Sequence, residues 1–391
     1  MKISLAQRRA RLGVRHHLAA PAATVEEAAG GVVALHATDP ASVFLAAWAR
    51  VPEVGVADVE RALYEDRTLL RLLGMRRTVF VTEVATAALV QAGCASDIAV
   101  KQRKLLEQHL GTVGHPTNVE DPPSWLADVA ASVEKALRAR GSATAQDLVD
   151  DEPRLRQQLH MAKGKPYAAI GNVTSRVLFQ LAVDGRIVRG RPRGSWLSTQ
   201  YHWAPLDGWL PGGLPPVPPA DARAELARRW LRAFGPAPVA DLRWWTGWTA
   251  GQTKQALTAV APAEVDLDGE PGIVLPDDLE PVPEPAPWVA LLPALDPTPM
   301  GWSARDWYLG PHRPALFDRS GNIGPTAWCD GRVVGAWAQR PTGEVVLRLL
   351  EDVGADRAAA LEAEAARLTT WLGDTRVVPK FRTPAERELS T

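Results

Sequence analysis

The spacing of apolar positions predicts that the chain begins with several helices and then a short extended segment. Apolar residues recur at helical intervals over 5–18, 24–35, 41–50 and 55–66. The following "TVFVT" is rich in β-branched and aromatic residues, as strands are. Thr24 and Glu27 match the S/T-x-x-E capping box, so the second helix should run from Thr24 to Leu35. Helices followed by a short ribbon indicate a helix-turn-helix with a wing.

The same pattern recurs twice further along the chain. The second copy is predicted from a helix over 125–140, a turn and short helix over 141–150, and a helix with two strands over 172–205. The third copy follows over 223–260 and continues into an acidic, strand-rich stretch. The phrase "FGPAPVADL" echoes "RGSATAQDL", with Gly, a small residue and then Asp-Leu opening a helix.

These patterns predict an α+β protein of three tandem winged-helix domains. We expect the domains to span 1–122, 123–207 and 223–391, with the Pro/Gly-rich segment 208–222 as a linker. The third domain is predicted to carry a strand-rich C-terminal part over 286–350 and a helix near 355–372.

Composition and charge indicate the cellular compartment and the kind of partner that we expect. The 391 residues are 46% hydrophobic, but no apolar run approaches the roughly 18 residues of a membrane span. Only two cysteines occur, Cys94 and Cys329, and no signal peptide is recognisable, so we expect a reducing cytoplasm. The net charge of −1 hides segregation: "RIVRGRPRGSW" contains four arginines and no acid, whereas residues 263–284 are acidic. Local charge therefore permits binding to phosphate.

The stretch "GGVVALHATDP" places an imidazole, a hydroxyl and a carboxyl within four residues, His36, Thr38 and Asp39. Pro40 biases Asp39 away from helix, so these side chains are expected at a helix end or in the turn after it. Two interpretations stay open. Either the three groups take part in catalysis, or His36 caps the preceding helix while Thr38 or Asp39 caps the next.

Four quoted stretches give the chain a family resemblance. "HATDP" after an apolar helix, "RIVRGRPRG…STQYHWAPLDGWL", "WLRAFGPAPVADLRWWTGW" and "LLPALDPTPMGW…LFDRSGNIGPTAWCDGRVVGAW" occur in this order. They resemble the AlkZ/YcaQ-like winged-helix DNA glycosylases over nearly the whole chain. The resemblance implies a concave scaffold around duplex DNA and hydrolysis of the N-glycosidic bond of an alkylated purine. Characterised members have Gln-x-Gln or Gln-x-Asp, where this chain has His36-Ala37-Thr38.

A mechanism can be written for this altered motif. An N7-alkylated purine is already cationic, so the enzyme must chiefly aim water at the sugar and stabilise an oxocarbenium-like transition state. We expect His36, whose unperturbed pKa is about 6.5, to accept a proton from that water. Thr38 would orient the water, and Asp39 would hold the imidazole tautomer or face the developing positive charge.

Basic and aromatic residues supply the predicted DNA contacts. The Arg-rich hairpin tip is expected to lie against the phosphate backbone or minor groove. The hairpin aromatics Trp196, Tyr201 and Trp203 are expected to face the groove or the lesion. Basic residues of the first helix either bind the backbone or form its solvated face. The DNA-binding candidates are Arg186, Arg189, Arg191, Arg193, Trp196, Tyr201, Arg76, Arg77, Arg8 and Arg11.

The remaining expectations concern partners and alternatives. No metal-ligand spacing, P-loop or dinucleotide fingerprint is present, so we expect no metal, nucleotide or other cofactor. The predicted partner is damaged duplex DNA, with no membrane and with a monomer as the default. The main alternative is a non-catalytic winged-helix DNA-binding protein or regulator that has lost Gln-x-Gln. A remoter one is a protein that sequesters a DNA-reactive metabolite.

Overall fold

The computed structural model describes residues 1–165 and 168–391 and has an α+β architecture. The α-helices are α1 (Leu5–Arg15), α2 (Val25–Gly31), α3 (Pro40–Trp48), α4 (Val56–Glu60), α5 (Val84–Val90), α6 (Ser96–Thr112), α7 (Pro122–Arg140), α8 (Ala145–Asp151), α9 (Thr174–Val183), α10 (Leu206–Trp209), α11 (Pro219–Phe234), α12 (Val239–Thr246), α13 (Ala250–Val260), α14 (Asp306–Leu309), α15 (Arg313–Leu316), α16 (Ala355–Leu372) and α17 (Pro384–Leu389). The strands are β1 (Leu35–His36), β2 (Leu69–Leu73), β3 (Val79–Glu83), β4 (Gly114–His115), β5 (Gln158–Met161), β6 (Ala169–Asn172), β7 (Ile187–Pro192), β8 (Tyr201–Pro205), β9 (Ala263–Leu267), β10 (Glu270–Val274), β11 (Val289–Leu292), β12 (Thr326–Cys329), β13 (Arg332–Gln339) and β14 (Val345–Leu349). None of these helices is long and apolar enough to cross a bilayer.

The predicted helix from Thr24 to Leu35 is too long. Thr24 does cap α2, accepting the N–H of Glu27, but the helix ends at Gly31. Two adjacent glycines weaken the helix there, and Val33 takes a positive φ of 65° that turns the chain. Leu35 and the next residue then pair with β3 as a two-residue strand, Leu35 opposite Val81. The residues His36 to Asp39 therefore lie at the end of a strand and not at the end of a helix.

One order of elements recurs three times along the chain. A helix, a short extended segment, two helices and a hairpin follow one another as α2–β1–α3–α4–β2–β3, and β1 pairs with β3. In the second repeat α7, α8, α9 and β7–β8 take these places, with Ala143 bridged to Trp203, and the β5–β6 hairpin is inserted before α9. In the third, α11, α12, α13 and β9–β10 do so, with Ala237 bridged to Ile273. Ala143 and Ala237 occupy matching places in the two echoing phrases.

The hydrophobic cores do not follow the predicted domain boundaries. One large core combines the first and third repeats, since Leu35 and Phe44 share it with Trp230 and Trp328. A separate core serves the second repeat, and it includes Leu106 and Leu110 of α6, a helix that lies within the predicted first domain 1–122. Helix α11 begins at residue 219, inside the predicted linker 208–222. The strand-rich part is a four-stranded antiparallel sheet, β11–β12–β13–β14.

Candidate active site in a basic groove

A groove of about 810 Å³ opens where the first and second repeats meet. The turn between β1 and α3, the first residues of α8 and α9, and the β7–β8 hairpin all contribute to its walls. Four of its lining residues are cationic, Arg77, Arg189, Arg193 and Lys380, and none of the described lining residues is acidic. Such a cleft concentrates positive potential and attracts a polyanion.

Two residues of the motif line this groove, Ala37 and Thr38, and of these Thr38 has the polar side chain. The N–H of Ala37 donates to the carbonyl of Val79 at 2.8 Å, which fixes the backbone on the edge of β3. The N–H of Thr38 donates to Nδ1 of His36 at 3.4 Å. Within the described residues no hydrogen bond engages the Thr38 hydroxyl, so it is free to hold a ligand or a water.

His36 lies behind the groove and is not suited to accept a proton. Its side chain is 7% exposed and packs edge-on against Phe80, with ring centroids 5.5 Å apart. Burial, with a smaller contribution from Arg76, lowers the pKa of His36 to about 3. Because Nδ1 accepts the Thr38 N–H, the proton of the neutral ring is assigned to Nε2. This geometry does not support the predicted general-base role, and it makes His36 a support for the Thr38 backbone.

Asp39 has the capping role that we left open. Its Oδ1 accepts the N–H of Ala41 at 3.2 Å at the start of α3, and its Oδ2 accepts the N–H of Lys380 at 2.9 Å. Burial raises the pKa of Asp39, the hydrogen bonds from these two N–H groups opposing the shift. With both oxygens engaged by backbone, the predicted contact of Asp39 with the His36 imidazole is not formed.

The structure divides the Arg-rich hairpin tip into paired and unpaired arginines. Arg186 donates through Nε to Glu134 at 2.7 Å, and Arg191 bonds Glu60 at 2.6 Å. The tip is therefore not the acid-free surface that the sequence indicated, because acids from other elements reach it. Arg193 is exposed and Arg189 is partly buried, and both line the groove.

Of the three predicted hairpin aromatics, Tyr201 and Trp203 lie in the groove. Tyr201 lines it, close to Arg189. Trp196 is 9% exposed and packs against Phe44 with ring centroids 4.8 Å apart, inside the large core. Trp196 is thus a packing residue, and the prediction that it contacts a DNA base is wrong.

The remaining predicted arginines also separate by burial. Arg77 is exposed and lines the groove, whereas Arg76 stacks on Trp244 with its Cζ 3.9 Å from the ring centroid. Arg8 is buried above Trp307, Cζ to centroid 4.2 Å, and Arg11 is bonded through Nη1 to Asp278 at 2.6 Å. The basic face of the first helix is therefore largely internal, so neither Arg8 nor Arg11 is available to DNA.

Sequence reasoning missed two residues of this region, Lys380 and Arg71. Lys380 lines the groove because Asp39 holds its backbone, a long-range contact that no local pattern indicates. Arg71 is 3% exposed on β2, and its Nη1 lies 3.5 Å from the carbonyl oxygen of Ala37. Arg71 could have been recognised as a candidate, because it is the single charge inside the apolar run "TLLRLLG" and an unpaired charge is costly in a strand interior.

Comparison with known proteins finds a matching family and a similar solved structure. The family model described as "DNA glycosylase AlkZ-like" matches residues 29–371. Among solved structures, the Streptomyces sahachiroi DNA glycosylase AlkZ superposes with a TM-score of 0.75 at 22% identity, covering 96% of this chain and 99% of that one. At that identity the structural likeness concerns the fold. No curated protein matches the chain.

Proposed function

The chain belongs to the AlkZ-like DNA glycosylase family, and on that basis we propose that it is a monofunctional glycosylase for alkylated purines in duplex DNA. The substrates we propose are N7-substituted purines, including bulky or crosslinked ones. The observation that carries the proposal is the groove, whose described lining is basic and free of acids and includes Thr38 of the motif.

The proposed scaffold is three tandem winged-helix domains. The threefold order of helix, short strand, two helices and hairpin supports it, as do the bridges made by Ala143 and Ala237. Hairpins and helix N-termini are elements with which such domains contact DNA. In this chain the starts of α8 and α9 and the β7–β8 hairpin all contribute to the groove, so DNA would be held against the second repeat.

The chemistry we propose differs from the one the sequence indicated. A cationic N7-alkylated base leaves without protonation, so the step needs a positioned water more than a strong base. Thr38 would hold that water by its hydroxyl, while neutral His36 fixes the Thr38 N–H from behind. As no described lining residue is acidic, the negative charge nearest the oxocarbenium-like sugar would come from the DNA phosphates themselves.

One observation favours a non-catalytic DNA-binding protein as the second candidate. The residue in the first position of the motif, His36, is buried behind the groove, which leaves Thr38 as the only polar motif side chain among the described lining residues. A binder would still use the basic groove but would release no base.

Base release separates the two candidates. The protein is incubated with duplexes containing N7-methylguanine or a bulky N7 adduct, and released bases are resolved by chromatography. We expect free modified base and an abasic strand that hot alkali cleaves, with an undamaged duplex as control. A gel shift without base release on every lesion would contradict the glycosylase and favour the binder.

A further inference from the structure

The buried guanidinium group of Arg71 and the partly buried one of Arg189 converge on one phenol beside the groove. Cζ of Arg71 lies 5.0 Å from the ring centroid of Tyr201, and Cζ of Arg189 lies 5.8 Å from it. Arg189 also lies 5.0 Å from the ring of Trp203. The cluster draws on β2, β7 and β8, so it forms only where the first and second repeats meet.

The cluster lacks the carboxylate partner that two other buried arginines, Arg50 and Arg11, possess. Arg50, with no side-chain exposure, is bonded to Asp296, and the similarly buried Arg11 to Asp278. Neither Arg71 nor Arg189 forms an ion pair with any residue in the ranges 1–165 and 168–391. Burial, followed by the repulsion of Arg71, lowers the pKa of Arg189 to about 10, as expected for a desolvated cation without a counter-charge.

Two further donors in the cluster are also unused. The Tyr201 hydroxyl and Nε of Arg71 are buried and have no hydrogen-bond partner among the described residues. A buried polar group without a partner carries a cost in stability, and one ligand that accepts hydrogen bonds from several of these donors would relieve that cost. Guanidinium and phenol groups are donors to oxyanions, and the guanidinium fork fits the paired oxygens of a phosphate.

The position of the cluster defines how such an anion would arrive. Arg189 and Tyr201 line the groove, so the anion would enter from the space proposed for DNA. Arg71 reaches to 3.5 Å of the Ala37 carbonyl oxygen, and Ala37 immediately precedes Thr38. The cluster and the Thr38 hydroxyl are therefore close enough to contact one nucleotide together.

We propose that Arg71, Arg189 and the Tyr201 hydroxyl form a buried site for one backbone phosphate, the one flanking the nucleotide whose sugar faces Thr38. This rests on the proposed function, since it takes DNA as the occupant of the groove. The site anchors the extruded nucleotide in register with Thr38 and places one negative charge beside the sugar. A phosphate bound here also supplies the counter-charge that the two arginines lack in the protein alone.

The test replaces single phosphates by neutral methylphosphonates and measures affinity, so it does not depend on base release. The probe is a duplex with one tetrahydrofuran abasic analogue, and methylphosphonate is placed at each phosphate from three on the 5′ side to three on the 3′ side. With the unaltered protein, we expect one flanking position to weaken binding about tenfold and the others less than threefold. With Arg189→Met, that position should cost less than twofold, because the partner of the charge is already gone.

Two more variants complete the experiment. Tyr201→Phe removes only the hydroxyl, so it should fold normally and reduce the cost at the same position. Arg193→Gln, at the exposed edge of the groove, should weaken binding overall but keep the full position-specific cost. Removing a partly buried cation that has no carboxylate partner should also raise the thermal midpoint of Arg189→Met relative to the unaltered protein.

The outcomes separate this site from the function. A uniform effect of methylphosphonate at all positions, or an equal cost in the unaltered protein and Arg189→Met, overturns the phosphate site even if base release is observed. A single sensitive position that Arg189→Met abolishes supports the site even if no lesion is excised, in which case only the glycosylase proposal fails.

Discussion

The carboxylate of Asp39 accepts the backbone N–H of Lys380 at 2.9 Å, which ties the motif near the start of the chain to a residue 341 positions later. The other oxygen of the same carboxylate caps α3 through Ala41. One buried side chain thus fixes the helix that follows the motif and also the segment that brings Lys380 to the groove. The role of Asp39 is to hold two walls of the site in place.

Replacing Asp39 should loosen both elements. We expect Asp39→Ala to lower the free energy of unfolding by about 1–2 kcal/mol through loss of the cap, and to weaken DNA binding because Lys380 is released. Asp39→Asn keeps one acceptor oxygen and should lie between the two proteins. Urea unfolding at pH 7 and fluorescence anisotropy with a short duplex measure the two effects. An Asp39→Ala protein with unchanged stability would contradict the capping role.

Thr38→Val tests the water-positioning hydroxyl at constant shape. Loss of the hydroxyl should reduce the single-turnover rate of base release on the order of 100-fold, as expected when a reactant loses its alignment. DNA affinity should stay within twofold. Thr199→Val is the matched control, since Thr199 also lines the groove, and its rate should be unchanged. Equal rates for Thr38→Val and Thr199→Val would exclude Thr38 from the reaction.

His36 should make stability depend on acidity. Its pKa is about 3 in the folded protein and about 6.5 in an unfolded chain, so the unfolded state binds the proton first and acidification favours unfolding. The contribution is fully present above pH 6.5 and is lost as pH falls towards 3. Relative to the unaltered protein, His36→Gln should gain about 3 kcal/mol between pH 7 and pH 4.

Urea unfolding at several pH values measures this gain. His16, which is fully buried and has its pKa lowered mainly by burial, is the matched comparison. His16→Gln should change the pH dependence in the same direction, and the double variant should show both gains. An unchanged pH slope in His36→Gln would mean that this imidazole titrates as if it were in water.

The exposed edge of the groove should determine the salt dependence of binding. Arg193→Gln and Lys380→Gln each remove one cation that can neutralise a phosphate, so each should reduce the slope of log affinity against log salt by about 0.9. Arg340→Gln is the control of equal charge, because Arg340 is exposed and already paired with Glu344. Titrations from low to moderate salt give the slopes, and identical slopes in all three variants would place DNA elsewhere.

Arg11 should matter for folding and not for DNA. Arg11→Leu leaves Asp278 with only Arg15 as a partner, so the free energy of unfolding should fall by about 3 kcal/mol. Binding of DNA by the folded protein, measured at low temperature, should be unchanged. A selective loss of DNA affinity with normal stability would restore the surface role that the sequence indicated.

Local periodicity was sufficient to predict much of the fold. The helix near 355–372 is α16, and the hairpin within 172–205 is β7–β8, because an apolar stripe and alternating strands need no distant partner to be recognised. The two-residue strand β1 could not be predicted, since nothing in "LH" specifies pairing with Val81 on β3. The helix through Leu35 was predicted from apolar spacing that served a core and not a helix face.

The candidate site was less predictable than the fold because its chemistry depends on partners from distant segments. Arg186 and Arg191 looked unopposed in the sequence, yet Glu134 and Glu60 reach them in space. Burial, which no residue type reveals, turned His36 into a neutral support and Arg11 into a structural ion pair. Thr38, Arg193 and Tyr201, predicted from the motif and the hairpin, do line one groove.

The composition of the groove determines when, during folding, the protein can bind a polyanion. Ala37, Arg193 and Lys380 come from stretches separated by more than a hundred residues, and the groove is lined by all three stretches together. A chain folded only in part, or one emerging from synthesis, therefore has no complete cleft to offer a polyanion. If the groove holds DNA as we propose, binding should therefore require the complete fold.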